Sequence, residues 1–290
     1  MGKNNMQEFR YLIEKIEKST FFLSPFKHLY IEDYLSPKHL EHILQDEEVH
    51  FEQCKNTRDL NNKLISKGYA IQSFPGCIQN IEEYIYRFET NNPLVALHGN
   101  PIESVGVTYR KKKYKNAFTE ELISFLNSQE FHDCLRAKFE ITEETRIISA
   151  IQKNLSKYEI SPHPDVRKKS LTYLLNINKT PEFDNSGQHT HLLQFKDEYR
   201  YVYDYWKNNP EKERTWVPWE WCETKKMHSN NNAFVIFEPS NDTLHAVKLD
   251  YDHTIQQRTQ VYGNLMYPGR KIKPFDDGKY RYLETLKTGG

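Results

Sequence analysis

Three residues have the types and spacing to hold one transition-metal ion. His163 and Asp165 lie in Ser161-Pro162-His163-Pro164-Asp165, and His245 lies in Thr243-Leu244-His245-Ala246-Val247. In an extended backbone, residues two apart share a face, so the His163 imidazole and the Asp165 carboxylate can reach the same point. A chain with 12 histidines produces such pairs by chance, and the weight comes from the order of residues downstream: a β-rich stretch, then His245, then Arg258 entering a last apolar strand. Two histidines and one carboxylate cover one face of an octahedron and leave room for a bidentate 2-oxo acid and oxygen, which suits Fe(II). Zinc would more often be closed off or keep a single open position.

Arg258 lies 13 residues past His245, on what should be the next strand of the sheet, and Val261, Leu265 and Met266 continue it as an apolar run. A planar guanidinium fixes a carboxylate with paired hydrogen bonds, so Arg258 is the candidate holder of the co-substrate's distal carboxylate. Gln260 should face the same way and contact co-substrate or substrate. His189-Thr190-His191 forms a second same-face pair, but it lacks a carboxylate at matching spacing and reads as a hydrogen-bonding or substrate-facing pair. His98, His228 and His253 fall in polar stretches and are expected to be solvated. No Ser-His-Asp or phosphate-loop arrangement offers another enzyme class. The competing reading is a cupin-like metal hydrolase or isomerase, or a binding module, neither of which needs Arg258.

The elements that must position these groups fall into two halves. In residues 1–144, apolar spacing predicts an amphipathic helix from Gln7 to about Lys18 and a strand within Pro25–Leu35. Ser36-Pro37 then reads as an N-cap with proline at the first helical position. Further helices are expected over 59–67, 78–88 and 120–138. From Thr145 the pattern changes to short β-rich runs: Ile147–Ile151, Leu171–Ile177, His191–Phe195, Phe234–Phe237, Leu244–Val247 and Thr259–Tyr267. Residues 196–230, with Tyr199, Tyr201, Tyr203, Tyr205, Trp206, Trp216, Trp219 and Trp221, read as an aromatic insertion in a core spanning 145–270. It could serve as a lid, a substrate platform or a dimer surface.

The order of HxD, then Leu171-Thr172-Tyr173-Leu174-Leu175-Asn176, then His245-Ala246-Val247, then Arg258 resembles the Fe(II)- and 2-oxoglutarate-dependent oxygenase superfamily, in its prolyl-4-hydroxylase-like branch. The Pro25–Ser36 segment looks like the strand-helix entry of that branch. The resemblance covers roughly residues 20–45 and 145–267. It implies an α+β, mainly β fold: a double-stranded β-helix (jelly-roll, cupin-like) core with N-terminal supporting helices. It also implies a hydroxylase using Fe(II), 2-oxoglutarate and oxygen, with ascorbate as a possible auxiliary. The metal would sit in the barrel mouth. Relatives in the branch carry a co-substrate-binding tyrosine where this chain aligns Leu174, with Thr172 and Tyr173 beside it. Related halogenases lack the carboxylate ligand, so Asp165 favours hydroxylation. The implied substrate is an amino acid, a peptide or protein residue, or a natural-product intermediate.

Composition sets the outer limits. At 290 residues the chain is near the upper limit for one core, so a single domain over 1–290 is expected. Forty basic and forty acidic side chains cancel, which gives no global field for nucleic acid or anionic membrane. The run Arg110–Lys115 reads as a solvated loop or strand end. Cys54, Cys77, Cys134 and Cys222 are too scattered for a disulfide framework, and no apolar run approaches membrane-spanning length, so a reduced cytoplasmic setting is expected. The oligomeric state is open, a homodimer being one option.

Overall fold

The computed structural model describes residues 6–72, 78, 80–89, 106–179 and 188–271; Cys77 and His98 lie outside them. A 3-10 turn (Met6–Phe9) leads into α1 (Arg10–Lys18), whose Leu12, Ile13 and Ile16 are buried as their spacing predicts. Strand β1 is limited to His28–Ile31, the four residues that pair with a later strand, and Asp33 then turns the chain with φ +47°. Helix α2 (Pro37–Leu44) starts as expected, the Ser36 side chain accepting a hydrogen bond from the His39 amide. Asn56 caps α3 (Thr57–Ser66) in the same way, and α4 (Ile81–Glu89) comes next.

The single helix expected over 120–138 is two, α5 (Ala117–Leu126) and α6 (Gln129–Lys138). Ser128 caps α6 by accepting from the Phe131 amide at 3.2 Å. The Asn127 side chain accepts from the Ser149 amide at 2.7 Å and donates to the Ser149 carbonyl at 3.1 Å, which ties the break to the barrel. Two short strands that the pattern does not predict, β2 (Tyr69–Ile71) and β3 (Thr108–Lys111), extend the large sheet. The basic run therefore begins inside a strand. Lys111 is buried rather than solvated, donating to the Lys67 carbonyl at 2.5 Å and lying 3.3 Å from Glu48.

Eight further strands make the core: β4 (Arg146–Asn154), β5 (Glu159–His163), β6 (Lys169–Asn176), β7 (Thr190–Phe195), β8 (Cys222–His228), β9 (Phe234–Phe237), β10 (Leu244–Lys248) and β11 (Arg258–Met266). They form a seven-stranded sheet in the order β1-β9-β6-β11-β4-β3-β2 and a four-stranded sheet in the order β5-β10-β7-β8. Every described pairing is antiparallel, and the chain crosses repeatedly between sheets, which is the double-stranded β-helix or jelly-roll architecture. Alternation divides each strand between two environments. Leu171, Tyr173, Leu175, Ile151, Val261 and Leu265 join α1, α3, α5 and α6 in the main hydrophobic core. The opposite face of β11 carries Arg258, Gln260, Tyr262 and Asn264 into the barrel.

Only part of 196–230 is an insertion, because Cys222–His228 is β8 of the small sheet, paired along β7. The remaining segment forms α7 (Tyr201–Asn208) and short 3-10 turns. Its Trp206 and Val217 pack with Leu193, Phe195, Leu244 and Ala246, and Tyr199 stacks on Trp221 at 5.0 Å. Most of its aromatic surface thus covers the small sheet's outer face. No helix among the described residues is long and apolar enough to cross a membrane, and Cys54, Cys134 and Cys222 are free thiols.

Candidate metal centre

His163 ends β5 and His245 lies directly opposite it on β10, both directed into the barrel. Asp165 lies two residues past the end of β5. The ligand atoms of His163, Asp165 and His245 lie within 4.8 Å of one another, and all three residues are buried. Each imidazole Nε2 faces the carboxylate, His163 at 3.9 Å from Oδ1 and His245 at 3.8 Å from Oδ2. His163 Nδ1 lies 2.8 Å from the Ser161 carbonyl and His245 Nδ1 3.4 Å from that of Thr243. A carbonyl only accepts, so both rings carry their proton on Nδ1 and aim the Nε2 lone pair at the shared point, as metal-binding imidazoles do.

Electrostatics favours the same protonation states. Burial, and then the neighbouring His245, push His163 down to about 3; burial also lowers His245, so both are neutral at pH 7. Burial alone would raise Asp165, but the Lys169 ammonium and the two histidines hold its carboxyl well below the usual range. Lys169 donates to Asp165 Oδ1 and the Thr172 hydroxyl to Oδ2. Asn264 Oδ1 is also 3.0 Å from that hydroxyl, whose single proton goes to the charged acceptor. The donor set and its orientation fit a divalent transition metal.

Arg258 opens β11 opposite Asn154, deeper in the barrel. Its Nη1 donates to Asn154 Oδ1 and its Nη2 to Thr190 Oγ1, both at 2.9 Å. Thr190 pairs with Val247, whereas Leu192 pairs with His245, so Arg258 lies roughly 7 Å of strand below the histidines. Arg258 is 2% exposed, its Nε has no hydrogen-bond partner, and it makes no ion pair within 4.0 Å among the described residues. Burial pulls it down to about 10, which leaves it charged at neutral pH. An uncompensated buried cation is costly, and the open Nε leaves Arg258 a donor free for an anionic partner.

The other expected residues diverge. Gln260 faces the interior, but its amide donates to Asn176 Oδ1 at 2.7 Å. Thr172 serves Asp165. Leu174 packs with Phe26, Leu192, Val235 and Phe237 and offers no polar atom; the inward phenol at that level is its cross-strand partner Tyr262, with its hydroxyl 3.0 Å from Lys169 Nζ. His191 turns to the outer face, 2.9 Å from Thr224 Oγ1 and edge-on to Trp219, so it cannot share a metal with His245. His228 and His253 are buried rather than solvated: His228 closes β8, and His253 bonds Thr57 Oγ1 at 2.9 Å. Lys169, Arg214 and Tyr262 are functional candidates that spacing alone does not reveal. A bulge between Leu265 and Met266 brings Lys169 round to Asp165, and the insertion delivers Arg214, whose Nη2 donates to the Asp165 carbonyl at 2.7 Å.

No protein-family profile and no curated protein matches the chain. Among solved structures it is similar to a prolyl hydroxylase from Trichoplax adhaerens in complex with a hypoxia-inducible-factor oxygen-degradation-domain peptide fragment (10% identity, 91% of each chain, TM-score 0.40). It is also similar to a Pseudomonas putida prolyl-4-hydroxylase (7% identity, 89% of this chain and 98% of that one, TM-score 0.42). A third is the non-heme α-ketoglutarate-dependent carbocyclase SnoK from nogalamycin biosynthesis (12% identity, 94% and 90%, TM-score 0.38). Likeness at this level carries no functional argument, which rests instead on the residues.

Proposed function

We propose that the protein is an Fe(II)- and 2-oxoglutarate-dependent oxygenase that hydroxylates a C–H bond of an amino acid, a peptide or protein residue, or a natural-product intermediate. His163, Asp165 and His245 would hold the iron, and Arg258 the distal carboxylate of 2-oxoglutarate. The observation that carries this reading is the pairing of a buried His-Asp-His cluster with a fully buried arginine that lacks a carboxylate, about two strand residues deeper in the same barrel. A hydrolase has no use for that arginine, whereas a dicarboxylate chelating the metal at one end needs a cation at the other.

When bound, iron and 2-oxoglutarate supply oxidative decarboxylation coupled to C–H oxidation, giving succinate and carbon dioxide. The chain's own residues orient and protect. Thr172 and Lys169 fix the Asp165 carboxylate, the Ser161 and Thr243 carbonyls fix the imidazole tautomers, and Asn154 and Thr190 hold the Arg258 fork. Keeping His163 and His245 neutral leaves their Nε2 lone pairs available at physiological pH. The Asp165 carboxylate favours hydroxylation over halogenation, since no vacated ligand position is offered to a halide.

Anaerobically purified protein given Fe(II), ascorbate and 2-oxoglutarate, then air, is expected to form succinate slowly even without its prime substrate. His245→Ala should form none. Wild-type succinate no greater than that of His245→Ala, in protein shown to carry iron and with candidate acids added, would count against the reading.

A further inference from the structure

A cavity lies on the connections and strand ends around Asp165, and neither the three metal-cluster residues nor Arg258 lines it. It has a volume of 570 Å³ and is lined by Arg167, Lys169, Arg214, Arg270 and Lys271, with Glu238 the acidic group on its wall. That volume is in the range of small-molecule sites. These residues come from separate parts of the chain: the β5–β6 connection, the start of β6, the insertion, the β9–β10 connection and the end of β11. Those are the strand ends that also carry Asp165 and His245.

Not all of the cations are occupied. Arg167 is tied down, its Nε donating to the Lys212 carbonyl and its Nη2 to that of Trp206, both at 2.8 Å. Lys169 is paired with Asp165, and Arg270 with exposed Glu143. Arg214 differs. It is 5% exposed, uses Nη2 on the Asp165 carbonyl, has no partner for Nε, and makes no ion pair within 4.0 Å among the described residues. The Ser170 hydroxyl, also on the cavity wall, is 1% exposed and likewise without a hydrogen-bond partner among the described residues. A buried guanidinium and a buried hydroxyl left unsatisfied, beside Arg167 and Lys271, which make no ion pair among the described residues, make a site for an oxyanion. Glu238 is the single carboxylate on the lining, while Glu213, Asp165 and Asp242 attract Arg214 without forming an ion pair with it.

We propose that this cavity binds the carboxylate or phosphate group of the prime substrate, with Arg214 as its anchor and Ser170 beside it. The protein then acts on a small acidic molecule rather than a neutral one. The proposal deepens the oxygenase reading and rests on it for the reaction, but not for the binding. Arg214 donates to the backbone carbonyl of Asp165 and Lys169 to its carboxylate, so two residues of the cavity wall adjoin the metal centre.

The test uses Fe(II)-loaded protein under anaerobic conditions with saturating 2-oxoglutarate, so that the Arg258 site is filled. Benzoate, phenyl phosphate and neutral benzamide are titrated by calorimetry into wild type, Arg214→Gln and the rim variant Arg270→Glu. At least one anion should bind, more weakly as salt rises, and benzamide should not. The affinity should fall at least tenfold in Arg214→Gln and several-fold in Arg270→Glu, whose exposed side chain can change without loss of the fold. The tighter of the two anions identifies the acidic group. Equal binding of benzamide, no binding of either anion, or binding that both variants leave intact would overturn the proposal. The preceding 2-oxoglutarate titration separates the two ideas: if it shows no binding while benzoate still depends on Arg214, the cavity site stands and the co-substrate assignment falls.

Discussion

At the scale of residues, Asp165 is the most constrained group, with Thr172 on one oxygen, Lys169 on the other and Arg214 on its carbonyl. Partners of a metal-binding carboxylate typically matter by 10–100-fold in metal affinity. Thr172→Val, which keeps shape and removes the donor, is therefore expected to weaken metal binding by about that factor in a Co(II) or Fe(II) titration; wild-type affinity would remove Thr172 from the centre. Arg258→Ala should retain the metal but raise the 2-oxoglutarate Kd by roughly 30-fold or more, about 2 kcal/mol. A co-substrate affinity unchanged in that variant would place the dicarboxylate elsewhere. His163 and Asp165 stand out in the sequence by a two-residue spacing, and His245 and Arg258 by their order downstream on the later strands. Lys169 and Arg214 do not, since one depends on a bulge and the other on the path of an irregular insertion. Leu174 shows the limit of reading by alignment: the inward phenol is on the neighbouring strand, at Tyr262.

At the scale of elements, the large sheet is packed so closely that β11 needs a glycine. A Cβ on Gly263 would overlap the ring of Tyr173, its cross-strand partner, whose hydroxyl is 2.5 Å from Ser149 Oγ. Gly263→Ala should destabilise the fold by roughly 1–3 kcal/mol, as overpacking does, and Gly263→Ala with Tyr173→Leu should recover part of that in thermal unfolding. An unchanged melting temperature in the single variant would contradict this packing. Helix existence was readable from apolar spacing and caps, but the Asn127-Ser128 break was not, because its cause is a pairing of Asn127 with Ser149 on another element. Strand β8 was hidden for a related reason. Its Glu223-Thr224-Lys225-Lys226 stretch is polar, and it belongs to the sheet through pairing with β7 rather than through its own hydrophobicity.

At the scale of the molecule, the N-terminal helices and the barrel share one core that traps charge as well as apolar surface. Lys153 on β4 is fully buried, its ammonium donating to Thr259 Oγ1 at 2.6 Å, and burial together with Lys111 pulls it down to about 7. An unfolded lysine titrates near 10.4. Between pH 7 and 10 the unfolded chain therefore binds the extra proton, so the Lys153 contribution to stability rises with pH across that window, and its cost is complete below it. Lys153→Met should raise stability at pH 7, and its difference from wild type should shrink between pH 7 and 9 in denaturant unfolding. A difference that stays constant with pH would show that the ammonium is not the cause.

The series of short β-rich runs after a helical half made an all-β sandwich or barrel legible, and the double-stranded β-helix came only as what the family resemblance implies. Strands β2 and β3 and the Arg214 cavity depend on long-range placement and could not be read from local pattern. The central claim is that one barrel holds a metal at His163, Asp165 and His245 and a dicarboxylate reaching from that metal to Arg258. The most direct measurement is an anaerobic titration of 2-oxoglutarate into Fe(II)-loaded protein, monitored in the visible spectrum. A weak charge-transfer band should grow to saturation at one equivalent per chain, fail to form in His245→Ala, and need far more 2-oxoglutarate in Arg258→Ala. No band, with no heat of binding in iron-loaded wild-type protein, would contradict it.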